Sequence, residues 1–133
     1  MKNINYFGFV DNKKIIELLK KMHIFAHPSI WPETSCIAAI ESMAAGCEVV
    51  TTNLGALYET CSPFATFVNF ERNFNNLEKK YSKILLNSIK NYWSKENQKK
   101  LKLQYETINA IYSWNVRSLE WKNFFKEARK LKS

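Results

Sequence analysis

The chain has a single aspartate, Asp11, among its 12 acidic residues. An Asp-x-Asp metal motif is therefore excluded by count alone. Cysteine is nearly as scarce: Cys36, Cys47 and Cys61 are odd in number, and no two stand in a C-x-x-C pattern. Neither a disulfide framework nor a zinc site is indicated, and a reduced, cytosolic compartment is the plain expectation. No run approaches the roughly 18 apolar residues a membrane span needs. Met1–Val10 carries one lysine and too short an apolar stretch for a signal peptide. Glycine and proline number three each, and neither occurs after Pro63. What is present suits a packed core. The 133 residues fit one domain, with 46% apolar and 14% aromatic side chains. The net charge of +8 is unevenly spread: Lys79 to Ser133 holds 14 of the 20 Lys and Arg against four acids, a local +10. Such a segment can attract an anionic membrane surface, although solvated helix faces are its commoner meaning. No aromatic-basic stacking pattern points to nucleic acid.

Periodicity organises the chain into alternating elements. Ile4 to Val10 reads as a strand, with Asp11 as the N-cap of a helix. Ile15, Leu18, Leu19 and Met22 give that helix a buried stripe. Ile24 to Ala26 is a short strand ended by His27-Pro28-Ser29. Thr34 or Ser35 can cap a second helix that stops at Gly46. Glu48 to Thr51 is a third strand, Ala56 to Thr60 a short helix, and Ala65 to Asn69 a fourth strand. Helices follow over Phe74 to about Tyr92, Lys95 to about Ile111, and from Ser113-Trp114 onward. Strand alternating with helix implies a parallel sheet with right-handed crossovers. Residues 1–72 would hold the sheet and 73–133 the C-terminal helices.

One stretch carries chemistry, from Pro28 to Gly46. It joins the C-terminal end of a strand to the next helix, where open α/β sheets bind ligands. Free amides around Ser35, Cys36 and Ile37 can receive phosphate oxygens at the positive end of the helix dipole. Glu33 lies just before the helix, and Glu41 lies inside it on a face similar to that of Ile37. A carboxylate accepts two hydroxyl donors at once, so each Glu can hold a vicinal diol. Two diols flanking a diphosphate describe a nucleotide sugar.

Glu33 and Glu41 form an E-x7-E motif, and its surroundings resemble the family-4 retaining glycosyltransferases of the GT-B fold. Tyr6-Phe7-Gly8-Phe9-Val10 is similar to that family's aromatic strand. Leu18 to His27, with Pro28-Ser29 after it, resembles the helix and strand before its Pro-Ser pair. Ala44-Ala45-Gly46-Cys47 with Val49 to Thr52, Gly55 with Glu59, and Ser113-Trp114-Asn115 also follow its pattern in order. The resemblance spans about Asn5 to Ala128. It implies metal-independent, retaining transfer of a glycosyl group from a nucleoside diphosphate sugar, with no cofactor. It places Glu41 on the ribose hydroxyls and Glu33, the candidate catalytic residue, on the sugar hydroxyls. Thr34, Ser35, Cys36 and Ile37 would offer amides to the phosphate and sugar, with Trp31, Gly55 and Glu59 at the rim.

Departures from the pattern set further expectations. Glu48 and Tyr58 stand where the family favours proline, and Ala56 replaces a glycine; all three are read as tolerable turn or rim positions. The family's first two strand–helix units, its diphosphate-binding Arg and Lys, and an acceptor-binding domain have no counterpart here. The expected fold is thus a partial doubly wound parallel sheet of about four strands with a helical C-terminal tail. It would be half of a GT-B C-terminal Rossmann-like domain, and Met1 would start inside a domain. The expected function is to supply part of a donor site, working with the acceptor-binding domain or a separate subunit. The alternative is a catalytically inactive fragment or the complementing subunit of a split glycosyltransferase. The expected place is the cytoplasm, where the basic helices could meet the inner face of the membrane. His27 reads as structural, since no carboxylate is placed to tune it, and His23 as a helix-end residue. The three cysteines read as small core residues. The Trp114–Trp121–Phe125 stripe reads as core or as a docking face.

Overall fold

In the computed structural model, residues 3–131 are described. They form a small three-stranded parallel sheet covered by helices. In chain order the elements are α1 (Asn12–Leu19), β1 (Ile24–His27), α2 (Ile37–Ala44), β2 (Glu48–Thr52) and α3 (Leu57–Cys61), followed by β3 (Thr66–Val68), α4 (Phe74–Asn91), α5 (Lys95–Tyr112) and α6 (Trp114–Lys130). The strands lie in the order β1-β2-β3. Phe25 is opposite Val49, and Thr51 is opposite both His27 and Phe67. Asp11 caps α1 as expected, its carboxylate accepting from the Lys14 amide at 2.9 Å. Ser113 does the same for α6, accepting from the Val116 amide.

The central strand β2 is buried at every position, so its alternate side chains feed two cores. Val49 points into a cluster with Ala39, Met43, Leu57, Cys61, Phe64 and Ile108, built from α2, α3 and α5. Val50 points the other way, against Val68, Leu77 and Tyr81 of β3 and α4. Tyr81 seals that layer by donating its hydroxyl to the Val50 carbonyl at 2.7 Å. Gln104 of α5, fully buried, donates to the carbonyls of Met43 (3.2 Å) and Cys47 (2.9 Å). Those carbonyls lie at and just beyond the end of α2, where helix carbonyls lack intrahelical partners. Gly46 turns the chain there with φ +90, the left-handed residue that ends many helices.

Four expectations change. Ile4 to Val10 forms no strand: it is irregular chain without a ladder, turned by Gly8 at φ +63, Tyr6 and Phe9 are almost fully exposed, and the sheet has three strands rather than four. A strand needs a neighbour to bond with, and β1 takes only β2 as its partner. The stripe on α1 is not buried; Leu18 and Leu19 are half-covered while Ile15 and Met22 are exposed. Glu48 is not at a turn rim but buried at the start of β2. There it accepts from Thr66 (3.3 Å) and Asn97 (3.0 Å), and Lys100 lies 4.0 Å away. It therefore fastens α5 to the base of the sheet, which a proline could not do. Finally, α6 has no buried residue. Trp121 and Phe125 stack, and Phe124 meets both edge-on, at centroid distances of 5.6–5.7 Å, while all three remain more than half exposed. They are a surface cluster, so of the two readings, core or docking face, core is ruled out.

Candidate donor site

Because the three strands run parallel, the loops after them gather at one edge of the sheet. The loop after β1 is tied down by β2: Thr51 donates its hydroxyl to the His27 carbonyl (2.9 Å) and Thr52 to the Ser29 carbonyl (2.7 Å). Both threonines are fully buried, so these bonds are shielded from water. Ser29 folds the loop back on itself, its hydroxyl donating to the Trp31 carbonyl at 2.9 Å. Glu33 then pairs with Gly55 across a parallel bridge, and the Ala56 amide donates to the Glu33 carbonyl at 2.8 Å. Gly55 has φ +63, and a Cβ there would lie 2.6 Å from both the nitrogen and the oxygen of Glu33. This close approach is why the position requires glycine. The Glu33 backbone is thus clamped between the loops after β1 and β2, with its side chain half-exposed.

The start of α2 lies three residues on. Its N-cap is Cys36, and no side chain caps it. This corrects the expectation of Thr34 or Ser35, both of which are exposed ahead of the helix. The first helix amides, at Ile37 and Ala38, are left open in the way that suits an anionic oxygen. Ile37 itself is 68% exposed, so a ligand could approach. Glu41 is half-buried one turn further on, where the Asn12 amide at the start of α1 approaches its Oε1 at 3.4 Å. Trp31 is exposed at the rim, and Glu59 is exposed on α3.

The premise for reading His27 as structural, that no carboxylate stands near it, does not hold. His27 Nε2 lies 3.5 Å from Glu33 Oε1 and 3.8 Å from Cys36 Sγ. A carboxylate is therefore placed against it after all. The loop reversal at Ser29 brings the end of β1 back to residues six and nine positions away, which periodicity could not reveal. The readable signal was a His, a Glu and a Cys bracketing one short loop. The three cysteines are buried and unpaired, as expected of core residues. A larger groove of about 1050 Å³ runs along α4, lined in part by Lys79, Lys80, Lys83 and Lys90, and lies apart from the residues singled out for the donor. No described helix is long and apolar enough to cross a membrane.

A strand-to-helix loop clamped at the carboxyl edge of a parallel sheet, leading to an uncapped helix start, defines an α/β domain of the Rossmann-like kind. The chain matches the family model for glycosyl transferases group 1 over residues 1–102 and belongs to that family. Its class is therefore that of a transferase moving glycosyl groups, and its fold that of part of a GT-B C-terminal domain. Comparison with curated proteins and with solved structures gave no match.

Proposed function

We propose that this chain supplies part of the donor site of a retaining, family-4-type glycosyltransferase that takes a nucleoside diphosphate sugar. Glu33 engages the sugar hydroxyls, Glu41 the ribose, and the open amides of Ile37 and its neighbours the diphosphate. The observation carrying this reading is Glu33, its backbone clamped and its carboxylate accessible, ahead of an uncapped helix N-terminus. One group accepts hydroxyl protons and the other receives negative charge. The Asn12 contact on Glu41 is long and exposed, so ribose hydroxyls can replace it at little cost. Pairing with an acceptor-binding domain or subunit, and docking of the basic C-terminal helices on an anionic membrane face, belong to the same proposal. An inactive fragment or complementing subunit of a split enzyme is the second reading, favoured by the unpaired Ile4–Val10 segment.

Glu41→Ala removes charge-assisted hydrogen bonds of about 1.5–3 kcal/mol. In an enzyme assembled around this chain, donor affinity measured by calorimetry should fall at least about tenfold. Unchanged affinity would remove Glu41 from the ribose. Transfer should also survive EDTA, since the proposed contacts to the diphosphate are backbone amides. Loss of activity in EDTA with rescue by Mn²⁺ would contradict the metal-independent part of the reading.

A further inference from the structure

The convergence of His27, Glu33 and Cys36 is not used up by donor binding. Among the described residues, their ligand atoms all lie within 4.8 Å of one another. The His27 contacts, 3.5 Å to the carboxylate and 3.8 Å to the sulfur, are long for a hydrogen bond or a tight ion pair between these groups. Three groups that can donate lone pairs thus gather in one place without closing on each other. Tetrahedral Zn²⁺ holds nitrogen and oxygen at about 2.0–2.2 Å and sulfur at about 2.3 Å, so its ligand atoms stand roughly 3.4–3.6 Å apart. The His27–Glu33 edge of 3.5 Å falls inside that range, and the His27–Cys36 edge of 3.8 Å is slightly wider. Rotation of the half-exposed Glu33 side chain can close the third.

The backbones that carry the ligands are held independently. The Phe25 ring stacks on the His27 imidazole at 5.5 Å, Thr51 grips the His27 carbonyl, and Gly55 and Ala56 grip Glu33. Cys36 is buried at the start of α2. His27 and Glu33 keep 27% and 30% of their side-chain surface exposed, which leaves room for a fourth ligand from solvent. We propose that His27 Nε2, a Glu33 carboxylate oxygen and Cys36 Sγ form a three-ligand site for a thiophilic divalent cation, Zn²⁺ being the one that fits. A thiolate, an imidazole and a single carboxylate select Zn²⁺ over Mg²⁺ or Ca²⁺, which prefer oxygen. The ion is not a helper of the transfer reaction: it would occupy the carboxylate proposed for the sugar. The site stands whether or not Glu33 binds a donor.

Cobalt(II) reports such a site directly. Titrating the 133-residue chain with Co²⁺ should give a one-to-one complex with a thiolate-to-cobalt charge-transfer band and intense four-coordinate visible bands. One equivalent of Zn²⁺ should bleach both, while excess Mg²⁺ leaves them. Cys36→Ser should abolish the charge-transfer band. Should that buried substitution impair folding, His27→Gln provides the second test. It should weaken Zn²⁺ binding at least about 100-fold, beyond the 10–100-fold that losing an outer-shell partner costs. Absence of the thiolate band in the unsubstituted chain, its survival in Cys36→Ser, or unchanged Zn²⁺ affinity in His27→Gln would each overturn the proposal.

Discussion

Replacing Gly55 by alanine should cost the chain about 2–4 kcal/mol of stability and displace Glu33. The backbone there has φ +63, and holding an L-residue in the left-handed region costs about 1–2 kcal/mol. The new Cβ would also meet the Glu33 nitrogen and oxygen at 2.6 Å and the Pro32 carbonyl carbon at 2.9 Å. These are backbone atoms and cannot rotate aside as a flexible side chain would. The two loops must part, which sacrifices the 2.8 Å bond from the Ala56 amide to the Glu33 carbonyl, a net loss of about 0.5–1.5 kcal/mol. For a chain of this size the melting temperature should fall by about 10 °C. Gly46→Ala is the matched control. Gly46 also has positive φ, at +90, but a Cβ there meets nothing within 4 Å, so only the conformational strain applies. Thermal melts of the two variants separate strain from contact. Equal losses would mean that the approach of Gly55 to Glu33 does not bear on stability.

This clamp also shows why the site was only partly legible beforehand. Glu33, Glu41 and the helix start stood out in the linear pattern because residue type and spacing carry that chemistry. The partner of His27 did not, because it depends on the path of the loop after β1. That path is set by Thr51 and Thr52, two buried hydroxyls on a different strand. The missed helix cap has a similar origin. Thr34 and Ser35 have suitable side chains, but Glu33 is held in the bridge to Gly55, and the extended residue ahead of the helix is Cys36. Here a tertiary contact overrides local capping preference.

The strand and helix pattern was more readable where each element has its partner. β1, β2 and β3 fall where short β-rich runs sit between turn signals, and α4, α5 and α6 where Gly and Pro are absent. Ile4 to Val10 has the same local chemistry but no ladder to join, so its pattern alone could not make it a strand. Glu48 was misplaced for the opposite reason. A charged residue at a strand start reads as exposed, yet Asn97, Thr66 and Lys100 converge on it from α5 and β3.

The two cores also predict how the chain responds to base. Cys61 is fully buried, and burial, with a smaller contribution from the neighbouring Cys36, pushes its thiol from 9.0 up to about 12. Tyr81 is 7% exposed, and burial pushes its phenol from 10.0 up to about 12. Burial raises Cys47 and Tyr92 in the same direction. In every case the unfolded chain gives up its proton first. The native state therefore binds more protons above pH 9, and stability must fall as pH rises. The contribution is fully present below about pH 9 for the thiols and about pH 10 for the phenols, and it is lost as pH approaches about 12. At about 1.4 kcal/mol per unit, Cys61 accounts for roughly 2 kcal/mol between pH 8 and pH 10.5, and Tyr81 for a little under 1. Urea unfolding should therefore show a loss of at least about 3 kcal/mol over that interval, a large part of a typical 5–15 kcal/mol total. Cys61→Ala should start from a lower baseline, because it leaves a small cavity. Its loss over the same interval should nevertheless be smaller by about 2 kcal/mol, since the thiol that titrates there is gone. A flat profile to pH 10.5, or an undiminished slope in Cys61→Ala, would show that these side chains are not held protonated by the two cores that flank β2.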